Sequence, residues 1–148
     1  MKKILLLLAT IVIAGVAEAK TIAESLAGRL PEEYYAEGKL DLRNQEIDEW
    51  SGLHIILENF PNLHTLDLSG NKLNHVPNAI GFLMEKNGIK IVNLANNKIR
   101  RISDHVITLG YSIQWLILTG NPLTKRMQQK LAAMREEDGA RAAKHIVS

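Results

Sequence analysis

Apolar residues return along this chain in short groups that alternate with polar residues, at nearly constant intervals. In the clearest group, which runs from Leu63 to Leu73, Leu66 and Leu68 are separated by one polar residue. Side chains two positions apart lie on the same face of a strand, so each group predicts a short strand with one buried face. Matching groups occur at residues 89–99 and 113–123, with a weaker one at 40–50. One repeat cannot cover its own apolar face, so neighbouring repeats are expected to stack into a solenoid.

Each group has two aliphatic residues separated by one residue, such as Leu66 and Leu68, and a side-chain amide follows the second of this pair by three positions. These amides are Gln45, Asn71, Asn97 and Asn121, at spacings of 26, 26 and 24 residues. The chain must turn inward after each strand, which buries backbone groups, and an asparagine can both donate to them and accept from them. We therefore expect a structural ladder of amides along the stack. Gln45 is one methylene longer than asparagine, which makes the first repeat the least regular.

This pattern resembles the leucine-rich-repeat family, whose consensus L-x-x-L-x-L-x-x-N-x-L recurs at a period of about 20–29 residues. The resemblance covers about residues 38–123. It implies an α/β solenoid, with a curved parallel β-sheet on the concave face and helical segments on the convex face. It also implies that the concave sheet is the surface that binds a protein partner. We assign about four repeats to residues 39–123.

The segments between the predicted strands have apolar residues at helical spacing. These residues are Leu53, Ile56, Leu57 and Phe60 in the first connection, Ile80, Leu83 and Met84 in the second, and Val106, Ile107 and Tyr111 in the third. We expect them to close the core on the convex side rather than to bind a ligand.

Both ends of an open solenoid need caps with a polar outer surface. Thr21 and Glu24 form a capping-box sequence at the start of an apolar helical stripe, so residues 20–38 are predicted to be the N-terminal cap. Thr124 can begin a helix at the other end. Its apolar stripe would be Met127, Leu131 and Met134, and Gly139 would end it. We predict that residues 124–148 form a C-terminal capping helix and tail.

The N-terminus has the three parts of a secretion signal. Two lysines precede an apolar run from Ile4 to Ala17, and Ala17 and Ala19 are the small residues that a signal peptidase reads before Lys20. The run is 14 residues long, whereas a spanning helix needs about 20. We therefore expect residues 1–19 to be a signal peptide of bacterial type and the protein to be exported, either to the periplasm or outside the cell. An uncleaved anchor is the alternative.

Cysteine is absent from the sequence, which excludes thiol catalysis, cysteine-based metal sites and a lipidated cysteine. After removal of residues 1–19 the chain has 16 basic and 15 acidic residues. A net charge of +1 does not favour nucleic-acid binding. Because the sequence has no cysteine to carry a lipid and no later segment apolar enough to cross a membrane, we expect no membrane anchor after cleavage.

Motifs of enzymes are also missing. The five histidines have no metal-binding spacing, and the sequence has no P-loop or nucleophile elbow. Ser103, Asp104 and His105 are residue types of a catalytic triad, but adjacency in sequence is not triad geometry. We expect Ser103 to cap the third convex helix instead. The chain is therefore predicted to be no enzyme, with no catalytic residue, no metal and no cofactor.

The strand residues between the buried leucines should point to the concave face. From the first repeat to the last they are Lys39, Asp41 and Arg43; Thr65, Asp67 and Ser69; Ile91, Asn93 and Ala95; and Trp115, Ile117 and Thr119. The face would change from charged to apolar along the stack, with Ile91, Trp115 and Ile117 on adjacent strands about 5 Å apart. An exposed tryptophan beside aliphatic residues is typical of an interface. The alternative is that the C-terminal segment covers Trp115 and Ile117.

Two functional hypotheses remain open from the sequence. The first is an exported, monomeric, non-enzymatic protein-binding module whose partner is an unidentified protein, a host protein being one candidate. The partner-binding residues would be Lys39, Asp41, Arg43, Thr65, Asp67, Ile91, Asn93, Trp115 and Ile117. The second is a structural component of the cell envelope that binds wall polymer or completes a larger assembly. A single aromatic residue on the predicted concave strands favours a protein ligand over a glycan.

Overall fold

A computed structural model describes most of the repeat region and parts of both ends. The described residues are 19–27, 35–60, 62–108, 115–137 and 146–147. The signal-peptide prediction for residues 1–18 and the predicted positions of Tyr111 and Gly139 lie outside the described residues. The same holds for the side chains of Leu57, Leu83 and Met134.

Short parallel strands form the central sheet because each repeat contributes one strand of three residues. These strands are β2 (Lys39–Asp41), β3 (Thr65–Asp67), β5 (Ile91–Asn93) and β7 (Trp115–Ile117). The antiparallel β1 (Tyr35–Ala36) flanks β2, and the parallel β8 (Ile146–Val147) flanks β7. The sheet order is β1-β2-β3-β5-β7-β8. A second, two-stranded sheet pairs β4 (His75–Val76) with β6 (Arg101–Ile102).

The register of the strands stacks the same repeat position in one column. Leu40 lies opposite Leu66, Leu66 opposite Val92, and Val92 opposite Leu116. All four side chains are fully buried. Burial of one such side chain is worth roughly 1.5–3 kcal/mol, so the column holds neighbouring repeats together.

In the described parts of the chain, five helices lie between and beyond the strands. They are α1 (Ile22–Leu26), α2 (Leu53–Asn59), α3 (Asn78–Asn87), α4 (Asp104–Thr108) and α5 (Lys125–Glu137). Their buried residues, including Ile56, Ile80 and Val106, belong to the same core as the strand leucines. The prediction of a parallel α/β solenoid with helices opposite the sheet is thereby confirmed. Within the described ranges, none of the helices is both long and apolar enough to cross a membrane.

The N-terminal helix α1 begins with a reciprocal cap. The Thr21 Oγ1 accepts from the backbone nitrogen of Glu24 at 3.1 Å, and a carboxylate oxygen of Glu24 accepts from the Thr21 nitrogen at 2.7 Å. Ile22 is fully buried, and its backbone nitrogen donates to the Ser51 carbonyl at 3.1 Å. This helix therefore covers the first repeat.

At the other end, α5 covers the last repeat through one apolar side. The Met127 nitrogen donates to the Thr124 Oγ1 at 3.3 Å at the start of the helix. Met127 and Leu131 are buried in the common core. The Thr124 nitrogen donates to the Arg100 carbonyl at 3.1 Å, which joins the cap to the third repeat.

The chain returns to the sheet after α5. Leu116 pairs with Ile146 and Ile117 with Val147, so β8 extends the sheet beyond β7. An edge strand presents unpaired N–H and C=O groups, and β8 satisfies those of β7. These two residues therefore lie beside β7 in the plane of the sheet instead of across its concave face.

Candidate functional site

The concave face consists of rows that run across the four parallel strands. One row is Lys39, Thr65, Ile91 and Trp115, and the next is Asp41, Asp67, Asn93 and Ile117. Lys39 and Trp115, at the two ends of the first row, are exposed. Thr65 and Ile91 are half-buried between them, as are Asn93 and Ile117 in the second row. The structure thus brings the predicted residues of the face together, but it exposes the ends of the face more than its middle.

The apolar end of the face is centred on Trp115. Its side chain is 41% exposed, although it lies in a regular strand with Ile91 directly opposite on the neighbouring strand. Ile117 follows two positions later on the same side of β7. Neighbouring strands lie about 4.8 Å apart, so these three side chains form one continuous apolar surface, which we call the apolar patch.

A second exposed aromatic residue lies elsewhere. Phe82 on α3 is 48% exposed, and its ring lies 4.6 Å from that of His105 on α4. Among the described residues, Phe82 and Trp115 are the only large exposed hydrophobic side chains. Phe82 is on the convex side, so it offers a matched comparison for any test of the apolar patch.

The charged end of the face contains an internal ion pair. The Arg43 Nε donates to the Asp41 Oδ1 at 2.8 Å, and the Arg43 Nη2 donates to the Asp41 Oδ2 at 2.6 Å. These hydrogen bonds hold the pKa of Asp41 below its ordinary value and raise the pKa of Arg43. The two charges largely neutralise each other, while the guanidinium stays about half exposed (52%).

Asp67, one of the residues predicted to contact a partner, is nearly buried. It is only 6% exposed, and its Oδ1 accepts from the Ser69 Oγ at 2.7 Å and the Ser69 nitrogen at 3.1 Å. Its Oδ2 lies 3.8 Å from the Lys39 Nζ and 4.0 Å from the Arg43 Nε. The carboxylate therefore lies beneath the two cations and positions them, and a partner would meet Lys39 and Arg43 first.

Asp67 belongs to a turn that recurs in the first three repeats. Asp41, Asp67 and Asn93 each accept a hydrogen bond at 3.1 Å from the backbone nitrogen two positions later. Aspartate and asparagine commonly stabilise a turn in this way. The sequence analysis missed this role, although the signal was visible as an Asp or Asn at the same place in three repeats. Ile117 has the corresponding position in the last repeat and cannot accept such a bond.

The amide ladder connects each repeat with the one before it. The Asn97 Nδ2 donates to the carbonyls of Leu68 and Leu94 at 3.0 Å, and its Oδ1 accepts from the Leu73 nitrogen at 3.1 Å. Asn71 and Asn121 make the equivalent bonds one repeat earlier and one repeat later. The ladder thus satisfies backbone groups that the inward turns bury.

Gln45 departs from the ladder role expected of it. Its side-chain amide donates to the carbonyl of Arg43 at 3.1 Å, a bond within its own turn, and its backbone nitrogen donates to the Asn71 Oδ1 at 3.0 Å. The physical reason is its place in the stack, because β1, which precedes the first repeat, pairs antiparallel with β2 and does not continue the parallel repeat. Gln45 is therefore bonded by the ladder instead of extending it.

The residue types of a catalytic triad serve structural roles at the third convex helix. The Ser103 Oγ accepts from the Val106 nitrogen at 3.4 Å and caps α4. Asp104 forms an ion pair with Lys130, with 2.5 Å between Oδ1 and Nζ, which holds the pKa of Asp104 below its ordinary value. Within the described ranges, no three histidine or acidic side chains are grouped so that they could hold a metal ion.

The repeat region matches the model of a known protein family. The NXF1/2/3/5 leucine-rich repeat domain matches residues 40–137. The chain belongs to this leucine-rich-repeat family. Leucine-rich-repeat domains typically act as non-enzymatic modules for protein interaction, and the fold and the family together support that general role for this chain.

A solved structure is also similar. A chain in the crystal structure of the Drosophila melanogaster SNF/U2A′ complex is 33% identical, with a TM-score of 0.48. The match covers 62% of the present chain and 49% of the chain in that complex. The present chain therefore spans about half the length of the leucine-rich-repeat protein that it matches. No curated protein matches the sequence.

Proposed function

We propose that the protein is an exported, non-enzymatic protein-binding module of bacterial type, and that the apolar patch of Ile91, Trp115 and Ile117 is its principal contact surface. The single observation that carries the proposal is Trp115, which is 41% exposed on a regular parallel sheet, at the apolar end of its row of concave residues. Tryptophan is among the residues most enriched at the energetic centres of interfaces. A single exposed apolar residue is common, whereas a contiguous exposed apolar patch such as that of Ile91, Trp115 and Ile117 often marks an interaction site.

Ile117 gives the proposal independent support. The corresponding residues in the other three repeats, Asp41, Asp67 and Asn93, stabilise the turn that follows each strand. Ile117 gives up that hydrogen bond and enlarges the apolar surface beside Trp115 instead. This exchange of a structural hydrogen bond for apolar area beside Trp115 is expected of a binding surface.

The charged end of the face would supply specificity. Lys39 and Arg43 have side chains that are 46% and 52% exposed, whereas the carboxylate of Asp67 lies beneath them. Charges at the rim of an interface mainly affect the association rate and the choice of partner. We expect a protein partner to place an apolar side chain against Trp115 and to approach Lys39 with polar or acidic groups.

The binding surface can be tested by site-specific photo-crosslinking. A photoreactive phenylalanine analogue would replace Trp115 in one chain and Phe82 in another, and crosslinking would be compared in living cells and in the surrounding medium. A specific adduct from position 115, lost when Ile91→Asp is added, is the expected result. Equal adducts from positions 115 and 82 would show nonspecific contact and would contradict the proposed surface.

Export rests on the N-terminal sequence, and it has its own test. The mass and location of the mature chain would be measured after expression in a Gram-negative host, beside a variant with Ala17→Arg and Ala19→Arg that blocks signal-peptidase recognition. A mature chain that begins at Lys20 in the periplasm or medium is expected, with accumulation of the longer precursor in the variant. Full-length wild-type chain in the cytosol would refute export while leaving the binding surface open to test.

A further inference from the structure

Charge is strongly segregated along one edge of the solenoid, at the turn that follows each concave strand. Three equivalent positions in successive repeats show the trend. They are Glu46, Asp48 and Glu49 in the first repeat, Lys72, Asn74 and His75 in the second, and Lys98, Arg100 and Arg101 in the third. The edge thus changes from acidic to basic over two repeats, although the whole chain has a net charge of only +2.

Backbone contacts place these residues side by side in space. The Lys72 nitrogen donates to the Ile47 carbonyl at 2.7 Å, and the Arg100 nitrogen donates to the Asn74 carbonyl at 3.0 Å. His75 lies opposite Arg101 where β4 pairs with β6. The hydrogen bond from Thr124 to Arg100 then brings Lys125, at the start of α5, beside the third repeat. We call Lys98, Arg100, Arg101 and Lys125 the basic edge.

The cations of the basic edge are available to an external partner. All four residues are exposed. Lys72 is the cation nearest the acidic end of this edge, and its Nζ lies 3.0 Å from a carboxylate oxygen of Glu46. The charge of Lys72 is therefore already paired within the protein. In the part of the chain that the structure describes, the ion pairs are made by other cations, and none joins a carboxylate to the basic edge.

The geometry points to a peripheral membrane-binding surface, in which the basic edge contacts the phosphate headgroups of an anionic lipid bilayer. Each lysine or arginine near such a surface adds favourable electrostatic free energy, and several together give measurable affinity. The basic edge lies at the C-terminal end of the stack, so the solenoid can stand on the bilayer with its acidic end pointing away. The apolar patch is on another face and stays open to a protein partner.

A bilayer fits the edge better than a nucleic acid does. Proteins that bind single strands without sequence readout combine cations with aromatic side chains on which bases stack. The large exposed aromatic residues within the described ranges are Trp115 on β7 and Phe82 on α3, and neither belongs to β6 or to the segment that carries Lys98 and Arg100. A polyanion that extended from the basic edge along the solenoid would also meet Glu46 and Glu49 in the first repeat, two repeats away. A bilayer can contact the basic edge alone.

Vesicle flotation tests this inference. The sample is the purified protein in the form that the expressing cells accumulate, and mass spectrometry defines its N-terminus. One set of vesicles is phosphatidylcholine, and the other contains equal parts of phosphatidylcholine and phosphatidylglycerol. We expect binding to the anionic vesicles, weakened by high salt. Arg101→Gln should weaken it roughly fivefold, and Arg100→Gln with Arg101→Gln on the order of 25-fold, given the usual contribution of one cation near an anionic membrane.

Lys90→Gln is the matched control, because Lys90 is an exposed cation at the start of β5 and outside the basic edge. It should bind anionic vesicles like the wild type. Equal loss in Lys90→Gln and Arg101→Gln would overturn the assignment, as would equal binding of the wild type to both vesicle types. Displacement from the vesicles by single-stranded DNA at a lower phosphate concentration would overturn it in favour of nucleic-acid binding.

Discussion

Gly52 lies so close to Ala23 that a β-carbon on Gly52 would be 2.6 Å from the backbone nitrogen of Ala23. The approach is possible because Gly52 has no side chain and adopts a φ of 93°. The nitrogens of Ile22 and Ala23 donate to the Ser51 carbonyl at 3.1 and 3.4 Å at the same place. The N-terminal cap is therefore held to the first repeat by direct contact between two backbones.

Gly52→Ala should consequently destabilise the protein more than Gly88→Ala. Both glycines have positive φ, so both alanines incur a strain of roughly 1–2 kcal/mol, but nothing lies within 4 Å of a β-carbon on Gly88. Crowding against Ala23 should add about 1–3 kcal/mol for Gly52→Ala. Urea unfolding of the two variants measures the difference. Equal midpoints would mean that the cap is not packed as closely as described.

The amide ladder makes a prediction about the stack itself. Asn97→Ala removes the bonds to the Leu68 and Leu94 carbonyls and leaves the Leu73 nitrogen without its acceptor. Buried unsatisfied groups of this kind cost about 1–3 kcal/mol. Asn74→Ala is the control, because Asn74 is exposed directly before β4 and its side chain bonds only to the neighbouring exposed His75 among the described residues. An unchanged free energy of unfolding for Asn97→Ala, measured by urea denaturation, would argue against the stacked-repeat arrangement.

The buried residues of the solenoid could be predicted from the sequence because burial here follows a local rule. Leu66 and Leu68 are separated by one residue, and Asn71 follows Leu68 by three positions. The same spacing recurs in the next repeat, so the buried positions of one repeat predict those of the next. The same rule located α5 after Thr124, because its apolar residues recur at helical spacing. These features depend on neighbours in sequence or on an equivalent position one repeat away.

Other features depend on contacts that no periodicity encodes. Asp67 looked like a surface carboxylate, but Lys39 and Ser69 approach it and it becomes nearly buried. The pairing of β8 with β7 joins residues about thirty positions apart through a segment without repeat character. Charge segregation at the basic edge was hidden in the net charge, because the acidic and basic repeats cancel in the sum.

The exposure of Trp115 predicts a contrast with its neighbour in the same strand. Trp115→Ala should lower the free energy of unfolding less than Leu116→Ala does, although tryptophan is the larger residue, because 41% of Trp115 is already in solvent and its truncation leaves no enclosed cavity. Leu116→Ala should cost about 2–5 kcal/mol, since Leu116 is fully buried and its truncation leaves a cavity. Thermal unfolding of both variants provides the measurement. Comparable destabilisation would show that Trp115 is part of the core and would remove it from the proposed surface.

Arg43 should control the titration of Asp41. The hydrogen bonds from Arg43 lower the pKa of Asp41 in the folded protein. Stability from a depressed carboxyl pKa is present above the unfolded value of about 3.9 and is lost as the pH falls through the folded value. In Arg43→Gln the Asp41 pKa should rise toward its ordinary value, and the stability difference from wild type should shrink below about pH 4. An NMR titration of the carboxyl carbon measures the pKa.

A second ion pair gives the reciprocal control for that titration. Lys130 lowers the pKa of Asp104 on the convex side of the protein. Lys130→Gln should raise the Asp104 pKa and leave that of Asp41 unchanged, while Arg43→Gln should do the reverse. Movement of both pKa values in either variant would point to a global change of structure and not to the loss of one local hydrogen bond.

The pairing of β8 with β7 has a practical consequence for handling the protein. Val147 lies beside Ile117. An affinity tag or fluorescent protein fused directly after β8 would start next to the apolar patch, where it could shield Trp115 and mimic an absence of binding. Insertion of the tag between Ala19 and Lys20 places it before α1, at the opposite end of the solenoid from Trp115.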